Sequence, residues 1–132
     1  MTYTKTYTPK RPVKSFLDLE VYQKALAICV AVVKRVPVQD ELQACVIAIP
    51  RLIATSHSLR FSDKEKAIAV LEDSMLKCNL AVVYLEQYRD IYNKDIEVEF
   101  FEEQIKSLLA LRMKIMRLQM SWKKFWGDKE NA

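Results

Sequence analysis

Apolar residues recur along most of this chain at the three-and-four spacing of helices, not at the two-residue alternation of strands. In the first such segment Leu19, Leu26 and Val33 repeat every seven residues, with Tyr22, Cys29 and Val36 interleaved. That pattern predicts a helix packed along one seam. Ser15, with Asp18 three residues on, can cap its first amides, and Pro37 ends it. A second segment opens on Gln39, Asp40 and Glu41 and repeats Leu42, Ile49 and Ser56, with Cys45 and Leu52 between. A turn at 60–63 closes it, and Ser62 or Asp63 can cap the next helix. The third segment repeats Ile68, Met75 and Val82 with Leu71, Cys78 and Leu85, and fades after Tyr92 into the turn at 93–95. The fourth carries Phe101, Leu108, Ile115 and Trp122, with Leu111, Leu118 and Phe125 between; its acids come first and its bases last, as a helix macrodipole favours.

These elements predict an all-α fold, an antiparallel up-down-up-down four-helix bundle over residues 15–126, because short connections make neighbouring helices antiparallel. Residues 1–14 are polar, with Pro9 and Pro12, and read as a basic flexible arm; residues 127–132 read as a disordered tail. The single glycine, Gly127, agrees with helices joined by few turns.

The apolar content exceeds what one seam needs. Residues 25–33, ALAICVAVV, are apolar round the full circumference of a helix, and 44–49, ACVIAI, nearly so. A helix of that kind must be covered on every side. The expectation is therefore a homo-oligomer, ring-shaped, with an interface drawn from Ala25, Ile28, Val32, Ala44, Ile47 and Ala48. Pro50 interrupts the second helix, where an interior proline costs about 3 kcal/mol. It predicts a kink, with the hydroxyls of Thr55 and Ser56 free to bond back to helical carbonyls.

A length of 132 residues fits one domain, and 51% apolar residues suffice for a core. Cys29, Cys45 and Cys78 are odd in number and lack CxxC spacing, which predicts reduced, packed thiols. The first residues contain no apolar signal-type stretch, and the longest strongly apolar run falls short of the roughly 20 residues that span a bilayer. A cytoplasmic protein with no membrane partner is expected.

The net charge of +4 is unevenly placed. Residues 1–14 hold Lys5, Lys10, Arg11 and Lys14 and no acid; from Arg112 to Lys124 there are five bases and no acid. Such patches suit a polyanion or an acidic protein, although solvated lysines and helix-end charges look alike in sequence. The candidate nucleic-acid contacts are Lys10, Arg11, Lys14, Arg112, Lys114, Arg117, Lys123 and Lys124. Trp122 and Trp126, four apart among lysines, could stack on bases or plug the bundle's end. No RRM, KH, zinc-finger or OB signature accompanies them.

Catalytic chemistry finds little footing. His57 is the sole histidine, flanked by Ser56 and Ser58 on a helix with no nucleophile elbow. No phosphate-cradling glycine loop exists. The carboxylates of residues 95–104 lack the Glu-x-x-His pairs of a di-metal bundle. No enzyme activity, cofactor or metal is expected.

The opening of the first helix, Ser15, Phe16, Leu19, Tyr22 and Ala25, resembles the four-helix bundle proteins encoded by intervening sequences in bacterial 23S ribosomal RNA genes. In that family helix two carries the pattern S-I-P-x-N-I-A-E-G. Residues 48–56, AIPRLIATS, keep Ile49, Pro50, Ile53 and Ala54 and depart at Ala48, Leu52, Thr55 and Ser56. Arg60, Ser62 and Glu65 resemble a later Arg-x-Ser-x-x-Glu element. The same fold family includes the accessory variability proteins of diversity-generating retroelements. The resemblance implies a homopentamer without catalytic activity, whose partners are RNA and a reverse transcriptase. It leaves a second reading open: a protein-interaction scaffold of the ribosomal RNA intervening-sequence type, with the arm docking on a partner and no nucleic acid bound.

Overall fold

A computed structural model describes residues 15–37 and 40–130. The helices start and stop where local chemistry directs. The Ser15 hydroxyl accepts from the Leu17 amide at 3.2 Å and the Asp18 carboxylate accepts from the Ser15 amide at 3.4 Å. This reciprocal cap closes only a 3-10 turn, Phe16–Asp18, because Leu19 is extended (φ −72°, ψ 128°). Helix α1 then runs Glu20–Arg35 and ends at Val36, which is held extended (φ −92°, ψ 130°) before Pro37. Helix α2 spans Asp40–Leu59. Asp63 caps α3, Lys64–Ile91, by accepting from the Lys66 amide at 3.1 Å. Helix α4 spans Val98–Glu130.

Together these form a four-helix bundle, with no strand among the described residues. α1 packs on α2 and α4, and α3 on α2 and α4. The expected arm, residues 1–14, lies outside the described residues. The expected tail does not begin at 127. α4 continues through Gly127, which has no positive φ, to Glu130. A glycine in the last turns costs a helix only about 1 kcal/mol, and the buried Trp126 holds that end to the bundle.

The heptads of α2 and α3 face the core, and that of α4 does so as far as Ile115; beyond it Leu118 and Trp122 are half-buried, Phe125 is 49% exposed, and Gln119 and Trp126 are buried in their stead. Leu42, Ile49, Ile53, Leu71, Leu85, Leu108, Leu111 and Ile115 are essentially inaccessible to solvent. α1 is phased differently. Its buried face is Val21, Ala25, Ile28 and Val32, whereas Leu26 is 41% exposed and Cys29 and Val33 are half-buried. Ala25, Ile28 and Val32 therefore belong to the protomer's own core and are not available to a second copy. A helix apolar on every side fits the seven-residue repeat on two faces, and the repeat alone does not choose between them. On α2 the outward assignment matches the packing: Ala44 is exposed, and Ile47 and Ala48 are half-buried.

Pro50 is buried, and α2 passes through it unbroken. The Thr55 hydroxyl donates back to the Arg51 carbonyl at 2.8 Å. The Ser56 hydroxyl instead crosses to α3 and donates to the Ala67 carbonyl at 2.6 Å. By length and composition α2 is apolar enough to cross a membrane; in the bundle eight of its residues are buried against its neighbours.

The phase of α1 yields a direct expectation. Ile28→Ala should cost the dilute protomer about 2–5 kcal/mol, as for other buried large-to-small changes. Leu26→Ala should stay within about 0.5 kcal/mol. Chemical denaturation checks the ranking, and the reverse order would restore the Leu19–Leu26–Val33 seam.

Candidate nucleic-acid interface

At one place the last turn of α2, the turn at 60–63 and the final turns of α4 come together. His57 is buried (6% exposed), with its ring centroid 6.3 Å from that of Trp122. Trp122 lies 6.1 Å from Trp126, and the Lys64 ammonium sits 5.6 Å from the Trp126 ring centre. Trp126 is buried and Trp122 half-buried. The two indoles thus act as the plug of the bundle's end and do not stand free for stacking.

Arg60 ties this buried group to the surface. Its guanidinium donates to the His57 carbonyl at 2.6 Å and lies 3.2 Å from His57 Nδ1. A guanidinium only donates, so Nδ1 must accept, which places the ring proton on Nε2. The same guanidinium lies 4.4 Å from the ring centre of Phe61, which is 64% exposed. Burial, with the Arg60 charge second, pushes His57 below its ordinary value of 6.5.

The sequence-predicted cations do not form one stripe. Lys114 is paired with Glu20 at 3.1 Å, and Arg117 is exposed beside it in a hollow shared with Leu19, Val21 and Leu118. Arg112 is half-buried on another side of α4, near Cys78. Its charge pulls against the burial that raises the Cys78 thiol to about 12. Lys123 and Lys124 are exposed on the last turns. Lys10, Arg11 and Lys14 lie outside the described residues. The sequence placed Arg60 only in the Arg-x-Ser-x-x-Glu resemblance, not among the candidate contacts, and did not single out Phe61 or Lys64. The available signal was an arginine three residues after the only histidine, next to an aromatic at a helix end.

The other side of the molecule has the opposite character. Between residues 86 and 103 seven acids stand against two bases. Arg35 pairs with Glu97 at 2.6 Å and lies 4.1 Å from the centre of the Phe100 ring.

Catalytic geometry is not assembled around His57. The flanking hydroxyls are directed elsewhere, Ser56 to the Ala67 carbonyl and Ser58 to the Ala54 carbonyl. Among the described residues no group of three His, Cys, Asp or Glu side chains is placed to hold a metal ion. Cys29, Cys45 and Cys78 are free thiols, each raised by burial. The most spacious hollow described, about 440 Å³, lies between α1 and α2 and is mainly apolar, with Leu26, Cys29, Ile47, Pro50 and Arg51 in its walls.

No family model, curated protein or solved structure matches this chain.

The state of His57 predicts a pH dependence. The unfolded chain takes up a proton near 6.5 that the folded, buried ring resists. Its contribution to stability is therefore complete above that value and declines as pH falls below it, until the lower folded-state value is passed. Thermal melts at about pH 7.5 and about pH 5.5 should show a smaller loss for His57→Gln than for the unsubstituted protein. Equal losses would mean that His57 protonates without penalty.

Proposed function

We propose that this chain is a non-enzymatic, self-associating four-helix bundle that binds structured RNA through basic surfaces. On the resemblance given above, it serves as an accessory subunit of a reverse transcriptase. The observation that carries the reading is the segregation of charge. Bases without acids occupy Arg112 to Lys124, and acids dominate residues 86–103. The exposed bases of that stretch, Arg117, Lys123 and Lys124, attract phosphate, and binding of this kind is salt-dependent and largely indifferent to sequence.

Two ion pairs support the up-down-up-down course: Glu20 at the start of α1 meets Lys114, and Arg35 at its end meets Glu97, earlier on α4. Self-association is supported by apolar surface left outside the core. The α1–α2 hollow is one such area. Leu76 and Val83 on α3, with Leu109 and Met113 on α4, are exposed elsewhere. Contact between two unlike faces is heterologous and closes into a ring when the rotation permits. A ring, a pentamer on the resemblance, would repeat each weak basic site and raise avidity.

Two measurements test the two halves of this reading. RNA affinity should fall steeply from low to moderate salt, and Arg117→Glu, Lys123→Glu and Lys124→Glu together should weaken binding to all sequences alike and flatten the salt slope. No affinity at low salt, or none of this salt dependence, would overturn RNA binding and leave the scaffold reading. Light scattering at micromolar concentration should give a multiple of the chain mass, reduced to the chain mass by Leu26→Asp. A monomeric mass for the unsubstituted protein would sink the oligomer.

A further inference from the structure

Resting on the nucleic-acid reading, we propose that Phe61 is a stacking platform for an unpaired base, so that the basic end of the bundle takes single-stranded segments in preference to duplex.

Phe61 sits in the turn between α2 and α3 with 64% of its surface exposed. Burying a phenylalanine is worth about 1.5–3 kcal/mol, and this ring forgoes most of that within the protomer. Its position is nonetheless fixed. Arg60 lies against the ring at 4.4 Å while donating to the His57 carbonyl at 2.6 Å and meeting His57 Nδ1 at 3.2 Å. His57 in turn is buried against Trp122. The platform is therefore held by the core, and little freedom remains to be lost when a ligand arrives.

Electrostatics select the class of ligand. Arg60 carries its charge at the ring, and Lys64, three residues beyond Phe61, lies 5.6 Å from the Trp126 ring centre. The nearest acid in sequence, Asp63, directs its carboxylate to the Lys66 amide as a helix cap. An exposed aromatic ring with a cation held against it matches the pairing of base and phosphate along a nucleic-acid strand. In a duplex both faces of each internal base are already covered by neighbours, so only an unpaired base can offer one to Phe61. Trp126 is buried and Trp122 half-buried in the end-plug; Phe125 on α4 is exposed too, with Lys129 5.8 Å from its ring centre, but it is less exposed than Phe61 and lacks the tie through Arg60 to His57.

The test uses the full chain and fluorescence anisotropy with two probes, an about 12-nucleotide single-stranded oligouridine and an RNA duplex of the same length. Phe61→Ala should weaken single-strand binding about tenfold and leave duplex binding unchanged. Phe61→Trp should retain single-strand binding. Equal single-strand affinity for Phe61→Ala and the unsubstituted protein, with salt-dependent binding intact, would overturn the platform and leave the nucleic-acid reading standing. A loss of equal size on both probes would also overturn it, because the ring would then support the surface and not stack. If the unsubstituted protein binds neither probe, the nucleic-acid reading falls and the platform with it. If Phe61→Ala changes the mass in light scattering but not the affinity for either probe, the ring is a protein contact and the proposal is wrong.

Discussion

The structure depends on one constraint: four helices carry more apolar surface than a single bundle core can enclose. One stripe of each helix is fully removed from water, from Val32 on α1 to Ile115 on α4. The stripe that wins on α1 is the one built from small and β-branched residues, Val21, Ala25, Ile28 and Val32. With that stripe turned inward, Leu26 and Val30 are left outside, each more than 40% exposed. Burial in the protomer and exposed apolar surface thus have the same origin. Leucine weighs most in a hydrophobic tally, but shape and contact choose the packed face.

The same core determines what happens at the basic end. α4 is the longest helix, and its last turns stay ordered because Trp122 and Trp126 dock beside His57 and Lys64. Docking His57 desolvates it and favours the neutral ring, whose Nδ1 lone pair can receive Arg60. Arg60, anchored in that way, fixes the orientation of Phe61. A chain of short contacts leads from a buried imidazole to an exposed aromatic ring without any catalytic arrangement. On the proposed reading, the sole histidine positions a surface group through Arg60 and does not take part in chemistry itself.

The helices were legible in sequence because caps and breakers act locally. Ser15, Pro37 and Asp63 mark boundaries through their own hydrogen bonds or their own ring. The phases of α2, α3 and of α4 as far as Ile115 were legible because polar residues interrupt their apolar faces; past Ile115 the strict seven-residue repeat drifts off the buried face, and Phe125 ends outside. α1 lacks such interruptions over residues 25–33, so its phase is decided by packing partners that periodicity cannot name. The basic site was legible only as a count of charges. Which of those charges share a face depends on 100° steps along α4 and on Glu20 claiming Lys114 across to α1. Arg60 and Phe61 were not legible as a pair because their meaning is tertiary: a cation beside an aromatic is common, and one tied to a buried histidine is recognisable only in three dimensions.

The departures from the intervening-sequence pattern in α2 follow a physical logic of their own. Where that pattern has Glu and Gly after its proline, this chain has Thr55 and Ser56. Both hydroxyls find backbone carbonyls, Thr55 on its own helix and Ser56 on α3. Thr55 is exposed, and Ser56, which is buried, keeps its hydroxyl at little cost because that hydroxyl bonds to a carbonyl. In the place of the pattern's Asn stands Leu52, half-buried. The buried Pro50 lines the α1–α2 hollow. A proline there leaves the Val46 carbonyl without its usual helical donor. The helix continues because residues on both sides of the proline are buried against neighbours, Val46 and Ile49 before it and Ile53 after it. The kink-prone residue is therefore tolerated by tertiary burial and not by local propensity.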